Sequence, residues 1–369
     1  MNRPNILVVI DHLAFGGAGR VCSIFVNGLV QRNYHVTVCA STKYHPINYH
    51  LSEKVQIKEW YDPEPVKHNL FGKIANMWRR RKYYRRALKE TNPDVIIAFT
   101  HYIYFCVKQW SHGCKAPIIV SDHTSMGRDL GIFFNYVRRK YYKNADFVSV
   151  LTDKDAKLLG DTMPNKGVIY NPVTYDSLAI KTERRKNIIC VGRKDFWSVK
   201  GFDRMIEIWA KLASRYPEWT LEIIGPGTED SDETLKLFAE KLDVANRVSL
   251  IGEQSDMQTI YQRSSIFALP SRVEGFPMVL LEAMSQGCAC VSFSMQGAIE
   301  EMVNDGVDGS IVDDGDIEAF ARKLEELMTD VDMREYYSTN AAVNVQRFSK
   351  DVFIDRWEGV IQNIFIAVH

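Results

Sequence analysis

Short apolar runs without polar alternation recur along this chain, each followed by a stretch of helical periodicity, and that rhythm admits few architectures. In the first half the runs are Asn5–Ile10, His35–Ala40, Val95–Phe99, Pro117–Ser121 and Phe147–Leu151. In the second half they are Asn187–Val191, Leu221–Ile224, Val248–Ile251, Ile266–Leu269 and Ala289–Phe293. Strands buried on both faces read as unbroken apolar runs, and both faces are covered when helices connect parallel neighbours. Helical patterns near Ala18–Arg32, Leu70–Glu90 and Phe133–Lys143 supply such connections. The reading is therefore α/β, with two Rossmann-like parallel-sheet domains.

The length of 369 residues, about twice that of one domain, agrees with this division. Residues 1–172 form the first predicted domain, 173–186 a charged, weakly apolar linker, and 187–346 the second domain. The remaining residues, 347–369, include a helix over Lys350–Val368 with Phe353, Trp357, Ile361 and Ile364 on one face. Two open parallel sheets on one linker imply a cleft where the carboxyl ends of their strands meet, the edge at which such sheets bind ligands.

Formal net charge is zero, but the halves differ. Met1–Pro172 carries 25 Lys and Arg against 13 Asp and Glu, and Val173–His369 carries 21 against 33. The basic first half suits an anionic partner. The seven cysteines show no framework, and Cys288-x-Cys290 lacks a second ligand pair, so reduced buried thiols and a reducing compartment are expected. The first apolar run is too short for a signal peptide, and no run is long enough to span a membrane.

Three motifs carry chemistry. Phe15-Gly16-Gly17-Ala18-Gly19-Arg20 follows the first strand and opens a helix, where glycines admit a close ligand and a helix N-terminus favours an anion. The same glycines also fit a turn that needs them for geometry alone. The spacing does not match Gly-x-Gly-x-x-Gly, and no acid follows the second strand, so a nicotinamide cofactor is not expected. Gly192-Arg193 and Lys200-Gly201 put two cations on one strand-to-helix loop, able to bracket a diphosphate or to stand solvated. Third, Glu274-Gly275-Phe276-Pro277-Met278-Val279 leads from a strand into a helix carrying Glu282. Its two carboxylates can accept hydrogen bonds from vicinal hydroxyls, and Pro277 suits the first helical position.

Together, the Glu-x7-Glu element, the Gly-Arg…Lys-Gly element and the glycine loop resemble the GT-B glycosyltransferases of family 4, over essentially the whole chain. The resemblance implies that Arg193 and Lys200 hold the donor diphosphate and Glu282 the ribose hydroxyls. It implies that Glu274 contacts the transferred sugar with backbone help from Gly275, Phe276, Met278 and Val279, and that Gly16 and Gly17 approach the phosphate and acceptor. His123, in Ser121-Asp122-His123-Thr124, matches the family's histidine near the transferred sugar, and a purely structural histidine is the other reading. It further implies a retaining, metal-independent transfer without a cofactor, and a last helix crossing back onto the first domain. Asp230-Ser231-Asp232 has the letters of a metal motif but opens an acidic helix.

A basic segment points to the acceptor. Lys67–Arg86 holds eight Lys or Arg and no acid. On a helix, Leu70, Phe71, Ile74, Met77, Trp78 and Tyr84 share one side and Lys73, Arg79, Arg80, Lys82 and Arg86 the rest, with Arg81 and Arg85 inside the apolar side. Such a helix either packs on the sheet or docks on an anionic membrane. Arg138-Arg139-Lys140 adds a second basic cluster. The chain also resembles family 4 enzymes that extend polyprenyl-diphosphate-linked oligosaccharides, through Ser121–Thr124 and Asn171-Pro172. The resulting expectation is a UDP-sugar donor, a lipid-linked acceptor and a cytoplasmic protein peripheral on the inner membrane face, with no nucleic acid partner. A sugar-nucleotide epimerase or hydrolase, or a non-catalytic membrane-surface protein, would use the same pocket.

Overall fold

The computed structural model describes residues 3–14, 16–42, 45–59, 70–160, 163, 165–177, 183–295 and 297–368, without the side chains of residues 70–75. Phe15, Lys67, the side chains of Leu70, Phe71, Lys73 and Ile74, and part of the expected linker lie outside that description. The chain forms two compact units, residues 1–172 with 350–369, and residues 173–349.

The first unit runs β1 (Asn5–His12), α1 (Gly17–Gln31), β2 (His35–Ser41), β3 (Gln56–Glu59), α2 (Leu70–Thr91), β4 (Val95–Phe99), α3 (His101–Trp110) and β5 (Ile118–Ser121). It continues through α4 (Ile132–Tyr136), β6 (Phe147–Val150), α5 (Asp153–Leu159) and β7 (Lys166–Val168). The strands lie in the order β3-β2-β1-β4-β5-β6-β7, all parallel. Ile6 to Val9 are wholly buried, as strands covered on both faces must be. Leu7 and Val9 share a core with Tyr84, Ala87, Ile103 and Tyr104 under α2 and α3. Side chains alternate along a strand, so Phe99 turns to the other face and meets Phe25 of α1.

The second unit runs β8 (Arg185–Val191), α6 (Trp197–Lys200), α7 (Phe202–Ala210), β9 (Thr220–Ile224), α8 (Glu229–Lys241), β10 (Val248–Ile251), α9 (Met257–Arg263) and β11 (Ser264–Leu269). It ends with α10 (Met278–Ser285), β12 (Ala289–Phe293), β13 (Ser310–Val312), α11 (Ile317–Thr329) and α12 (Val331–Asn344). Its strand order is β10-β9-β8-β11-β12-β13, again all parallel. This is the α/β architecture of two Rossmann-like sheets expected from the apolar runs.

The last helix, α13 (Lys350–Val368), belongs to the first unit. Phe353, Ile354, Trp357 and Ile361 are buried there, with Phe353 and Trp357 against Phe25. Ile364, expected on the same face, is only partly buried. Glu358 accepts from Arg3 at 2.8 Å, Arg32 at 2.6 Å and the Tyr34 hydroxyl at 3.0 Å. Burial works to raise the Glu358 pKa, but these partners hold it below the usual carboxylate range.

Three expectations are corrected. The helical pattern over Phe133–Lys143 is not one α-helix: after α4 the chain widens into a π-helix over Val137–Tyr141, then a 3-10 turn over Tyr142–Asn144. Arg138 is no part of a surface basic cluster, since it is buried and paired to Asp122. The apolar side of α2 does not pack as a unit either. Tyr84 and Ala87 are buried, while Met77 is 48% and Trp78 60% exposed, so among the described side chains this face is covered at Tyr84 and Ala87 and open at Met77 and Trp78.

Candidate active site

In an open parallel sheet the strand order reverses at one point, and the loops leaving the two strands there diverge to open a crevice. In the second unit that point lies between β8 and β11. The connection from β8 to α7 carries Arg193 and, as the last residue of α6, Lys200, and the loop after β11 carries Glu274. Sheet order thus brings together side chains more than seventy positions apart. Lys200 Nζ donates to Glu274 Oε1 at 2.7 Å, and the Ser271 hydroxyl donates to the same oxygen at 2.9 Å.

The two loops are also clipped to each other. The Arg272 guanidinium forks onto both carboxylate oxygens of Asp203 at 2.7 and 2.8 Å, and its backbone N–H donates to Val199 O at 2.8 Å. Glycine permits this approach at two places. Gly201 holds φ +67°, and a Cβ there would stand 1.9 Å from the Pro270 carbonyl oxygen. Gly192 lies under Lys200, whose Cδ would be 3.2 Å from an added Cβ. A Gly201→Ala variant is therefore expected to lose several kcal/mol of stability and most transfer activity, because the clash is with backbone and the φ is one L-residues avoid. Thermal melting beside an activity assay checks this; a variant melting within about 2 °C of wild type contradicts it.

Arg193 is more open. Its guanidinium bonds Asp195 at 3.2 Å, and lies 5.2 Å from the Phe196 ring centre. Gly275 leads into Phe276, which is buried against Phe348, and Met278 and Val279 occupy the first turn of α10. Pro277 stands at the cap position, one residue before the place expected for it. The first N–H groups of any helix have no partner within it, so Met278 and Val279 present donors there. Glu282, the fifth residue of α10, is fully enclosed, accepting from Thr174 Oγ1 at 2.7 Å and the Tyr261 hydroxyl at 3.1 Å. Sequence reasoning missed these partners; Thr174 and Tyr261 carried no local signal. Asp232 is also settled: it pairs with the buried Lys194 at 2.7 Å and Thr228 caps α8, so Asp230-Ser231-Asp232 is used structurally. Among the described residues no group of three or more His, Cys, Asp or Glu could hold a metal ion.

In the first unit the order reverses between β1 and β4. Gly16 and Gly17 follow β1, with nothing within 4 Å of an added Cβ at either. The Tyr49 hydroxyl, absent from the sequence reading, holds Gly16 by accepting from its N–H at 2.9 Å. Thr100, after β4, carries φ 82°, a strained value for a β-branched residue of the kind that gathers at functional edges. His123 follows β5, partly buried, stacked on Phe99 at 5.0 Å and bonded through Nε2 to Ser121 Oγ at 2.9 Å. Burial lowers its pKa to about 4 against the raising effects of Asp122 and Asn171, so the ring is neutral at pH 7.

The His123 loop is held from behind. Asp122 is fully buried and accepts from Arg138 Nε at 3.1 Å, the Tyr142 hydroxyl at 2.6 Å and the Thr124 N–H at 3.0 Å. Arg138 also donates to the Thr124 and Ser125 carbonyls at 2.9 and 3.0 Å. The π-helix turns Arg138 inward to this loop, in keeping with the way π-bulges mark functional sites. On α2, Arg80 pairs with Asp11 at 3.3 Å, and Arg81 lies 5.2 Å from the Trp78 ring centre. Arg79, Lys82, Arg85 and Arg86 are exposed.

Comparison with known proteins agrees with this geometry. Residues 15–177 match the model described as Glycosyltransferase Family 4, and residues 178–343 the one described as Glycosyl transferases group 1. Sucrose-phosphate synthase from Thermosynechococcus elongatus shares the fold at TM-score 0.84 and 16% identity, over 98% of this chain and 99% of that one. This chain is a glycosyltransferase of the GT-B fold. The Anabaena protein HepE, solved in complex with UDP-glucose, aligns at TM-score 0.76 and 17% identity over 98% of this chain and 100% of its own. Among curated relatives of the glycosyltransferase, an uncharacterised glycosyltransferase of Haemophilus influenzae is 26% identical over 94% of this chain and 96% of the relative. A Campylobacter jejuni enzyme, an α-1,4-N-acetyl-D-galactosaminyltransferase acting on a PP-undecaprenol-linked glycan, is 24% identical over 97% of this chain and 98% of its own.

Proposed function

We propose that this glycosyltransferase moves a hexose or N-acetylhexosamine from a UDP-sugar to a polyprenyl-diphosphate-linked oligosaccharide, retaining anomeric configuration, without a metal ion or cofactor. The observation that carries the donor half is the cation–carboxylate pair of Lys200 and Glu274 at the switch point of the second sheet, with Arg193 on the same loop. Arg193 and Lys200 neutralise the diphosphate, Glu282 takes the ribose hydroxyls, and Glu274 orients the sugar with the backbone of Gly275, Phe276, Met278 and Val279. Fixed charge placed where negative charge develops is often the largest catalytic contribution. In the transfer, the bond from the anomeric carbon to the diphosphate oxygen breaks and the acceptor oxygen bonds that carbon on the same face. The acceptor proton passes to the departing diphosphate, so no protein base is required. His123, neutral at pH 7, serves a sugar hydroxyl as a hydrogen-bond partner.

The acceptor half rests on α2 and on the relatives. The activity of the Campylobacter jejuni relative supports a lipid-linked acceptor, and the Anabaena complex supports a UDP-sugar. Exposed Arg79, Lys82, Arg85 and Arg86, together with Arg80, Arg81 and Lys73, are the cations we assign to the lipid diphosphate and the anionic inner membrane face, each about 1 kcal/mol near such a surface. No described helix is long and apolar enough to cross a membrane.

The test incubates purified protein with UDP- and GDP-sugars and a short polyprenyl-diphosphate-linked glycan, reading product mass and anomeric configuration. One added hexose or N-acetylhexosamine from a UDP donor, with the donor's configuration, is the expected product. Inverted configuration defeats the retaining mechanism. A sugar nucleotide altered with no acceptor present replaces transfer with epimerisation or hydrolysis.

A further inference from the structure

The segment from α4 into the π-helix turns two different faces to its surroundings. Phe134, Val137, Arg138 and Tyr142 face inward: Phe134 meets His101 and Tyr102, and Arg138 and Tyr142 bond Asp122. The outward face begins apolar and ends basic. Ile132 is 93% exposed, Phe133 and Tyr136 are each 52% exposed, and Arg139 and Lys140 follow one turn later, also exposed. Single exposed apolar side chains are ordinary, but three large ones this open within one short helix make a patch, and exposed apolar patches mark interaction or membrane sites.

The ridge is anchored. Arg138 ties its second turn to the buried Asp122, and Phe133 packs edge-on against Phe105. It also continues into α2: Tyr102 meets Phe134 on one side and takes a hydrogen bond from Arg80 at 3.4 Å on the other. Across that bridge lie the exposed Met77 and Trp78 among the α2 cations. The surroundings are cationic, with Arg128, Arg139, Lys140 and Lys143 exposed. The nearby acid, Asp129, is occupied internally by the Gly131 N–H at 2.8 Å and Asn135 Nδ2 at 2.6 Å.

We propose that the α4 ridge is a membrane-insertion element, in which Ile132, Phe133 and Tyr136 enter the interfacial layer of an anionic bilayer while Arg139 and Lys140 meet its headgroups. The inference rests on the membrane reading of the function above but assigns a separate task to a separate element. Charges on α2 attract the protein through solution; α4 holds it by apolar burial, which salt does not screen. Aromatic side chains with a polar tip and snorkelling cations are the residue types that settle at that depth.

Flotation of the full chain with phosphatidylglycerol–phosphatidylethanolamine vesicles, beside neutral phosphatidylcholine vesicles, tests it. Wild-type protein is expected to float with the anionic vesicles, and to stay partly bound at about 1 M salt, where the screening length is about 3 Å. Ile132→Asp should lower partitioning about tenfold at low salt and abolish it at high salt, from loss of the buried isoleucine and addition of a charge, with unchanged melting. Ile132→Leu should behave as wild type. If wild type binds and Ile132→Asp binds equally, the ridge is not the insertion element, although the membrane reading stands. If wild type floats with no vesicle, both fail together. A vesicle-free dimer dispersed by Ile132→Asp would make a second copy the ridge's occupant and overturn the proposal.

Discussion

Lys200→Ala is expected to lower kcat/KM for sugar transfer about 10²–10³-fold, the loss typical of one preorganised charge at a developing anion, about 2.7–4 kcal/mol. Lys200 is well set for that task. Its Nζ is fixed by Glu274 at 2.7 Å, its stem lies along Gly192, and its side chain is mostly enclosed, where charge is weakly screened. Glu274→Ala should produce a loss of similar size, and the double variant should fall little further, because the two side chains orient each other and act as one unit. Steady-state kinetics on the three proteins, with UDP affinity by calorimetry, separates the parts. Lys200→Ala should weaken UDP as well as slow transfer, whereas Glu274→Ala should leave UDP binding nearly intact. Transfer by Lys200→Ala within tenfold of wild type would remove Lys200 from the catalytic set.

The second large effect is on stability. Asp122→Ala should cost the first unit about 3–5 kcal/mol, since it strands the Arg138 guanidinium in a buried place. In a unit of this size that is roughly 10 °C in melting temperature. Arg138→Ala should cost a similar amount, stranding Asp122. Exchanging both, as Asp122→Leu with Arg138→Met, should recover much of the stability, because a packed apolar pair often replaces a buried ion pair without loss. It should not restore transfer, because Arg138 also holds the Thr124 and Ser125 carbonyls that shape the His123 loop.

Acid gives an independent reading of the same pair. Burial works to raise the Asp122 pKa, but bonds and charge from His101, Arg138 and Tyr142 bring it below the usual carboxylate range. A carboxylate whose folded pKa is depressed stabilises the fold above its unfolded pKa of about 3.9, and that stabilisation is lost as pH falls through the lower folded value. Below about pH 4, wild-type melting should therefore drop more steeply than that of Asp122→Asn, which has no proton to gain. Parallel curves for the two proteins would show that the pair contributes little charge-dependent stability.

Much of the fold was legible because its strands are buried on both faces. Val95–Phe99 and Ala289–Phe293 carry no outward polar residue, and each is a strand at those residues. The strands that escaped notice lack that signature. Gln56–Glu59, at the sheet edge, alternates polar residues with one isoleucine, and Ser310–Val312 is three residues long. The interruption of Phe133–Lys143 by a π-helix was illegible for another reason: helical periodicity is an average, and the wider turn is stabilised by the inward bonds of Arg138.

By itself, the sequence determined the α/β class, the division into two units and the presence of a final helix with one apolar face. Those follow from periodicity and residue chemistry, which act over a few turns of chain. Only the tertiary structure decided partners. It joined Lys200 to Glu274 through the adjacency of β8 and β11, enclosed Glu282 with Thr174 and Tyr261, and withdrew Arg138 to Asp122. It also turned Trp78 and Ile132 outward. The same arginine or tryptophan reads alike in a sequence whether it faces water or core. Which it faces depends on where the layers beneath a helix end, and that is set by contacts between segments far apart in the chain.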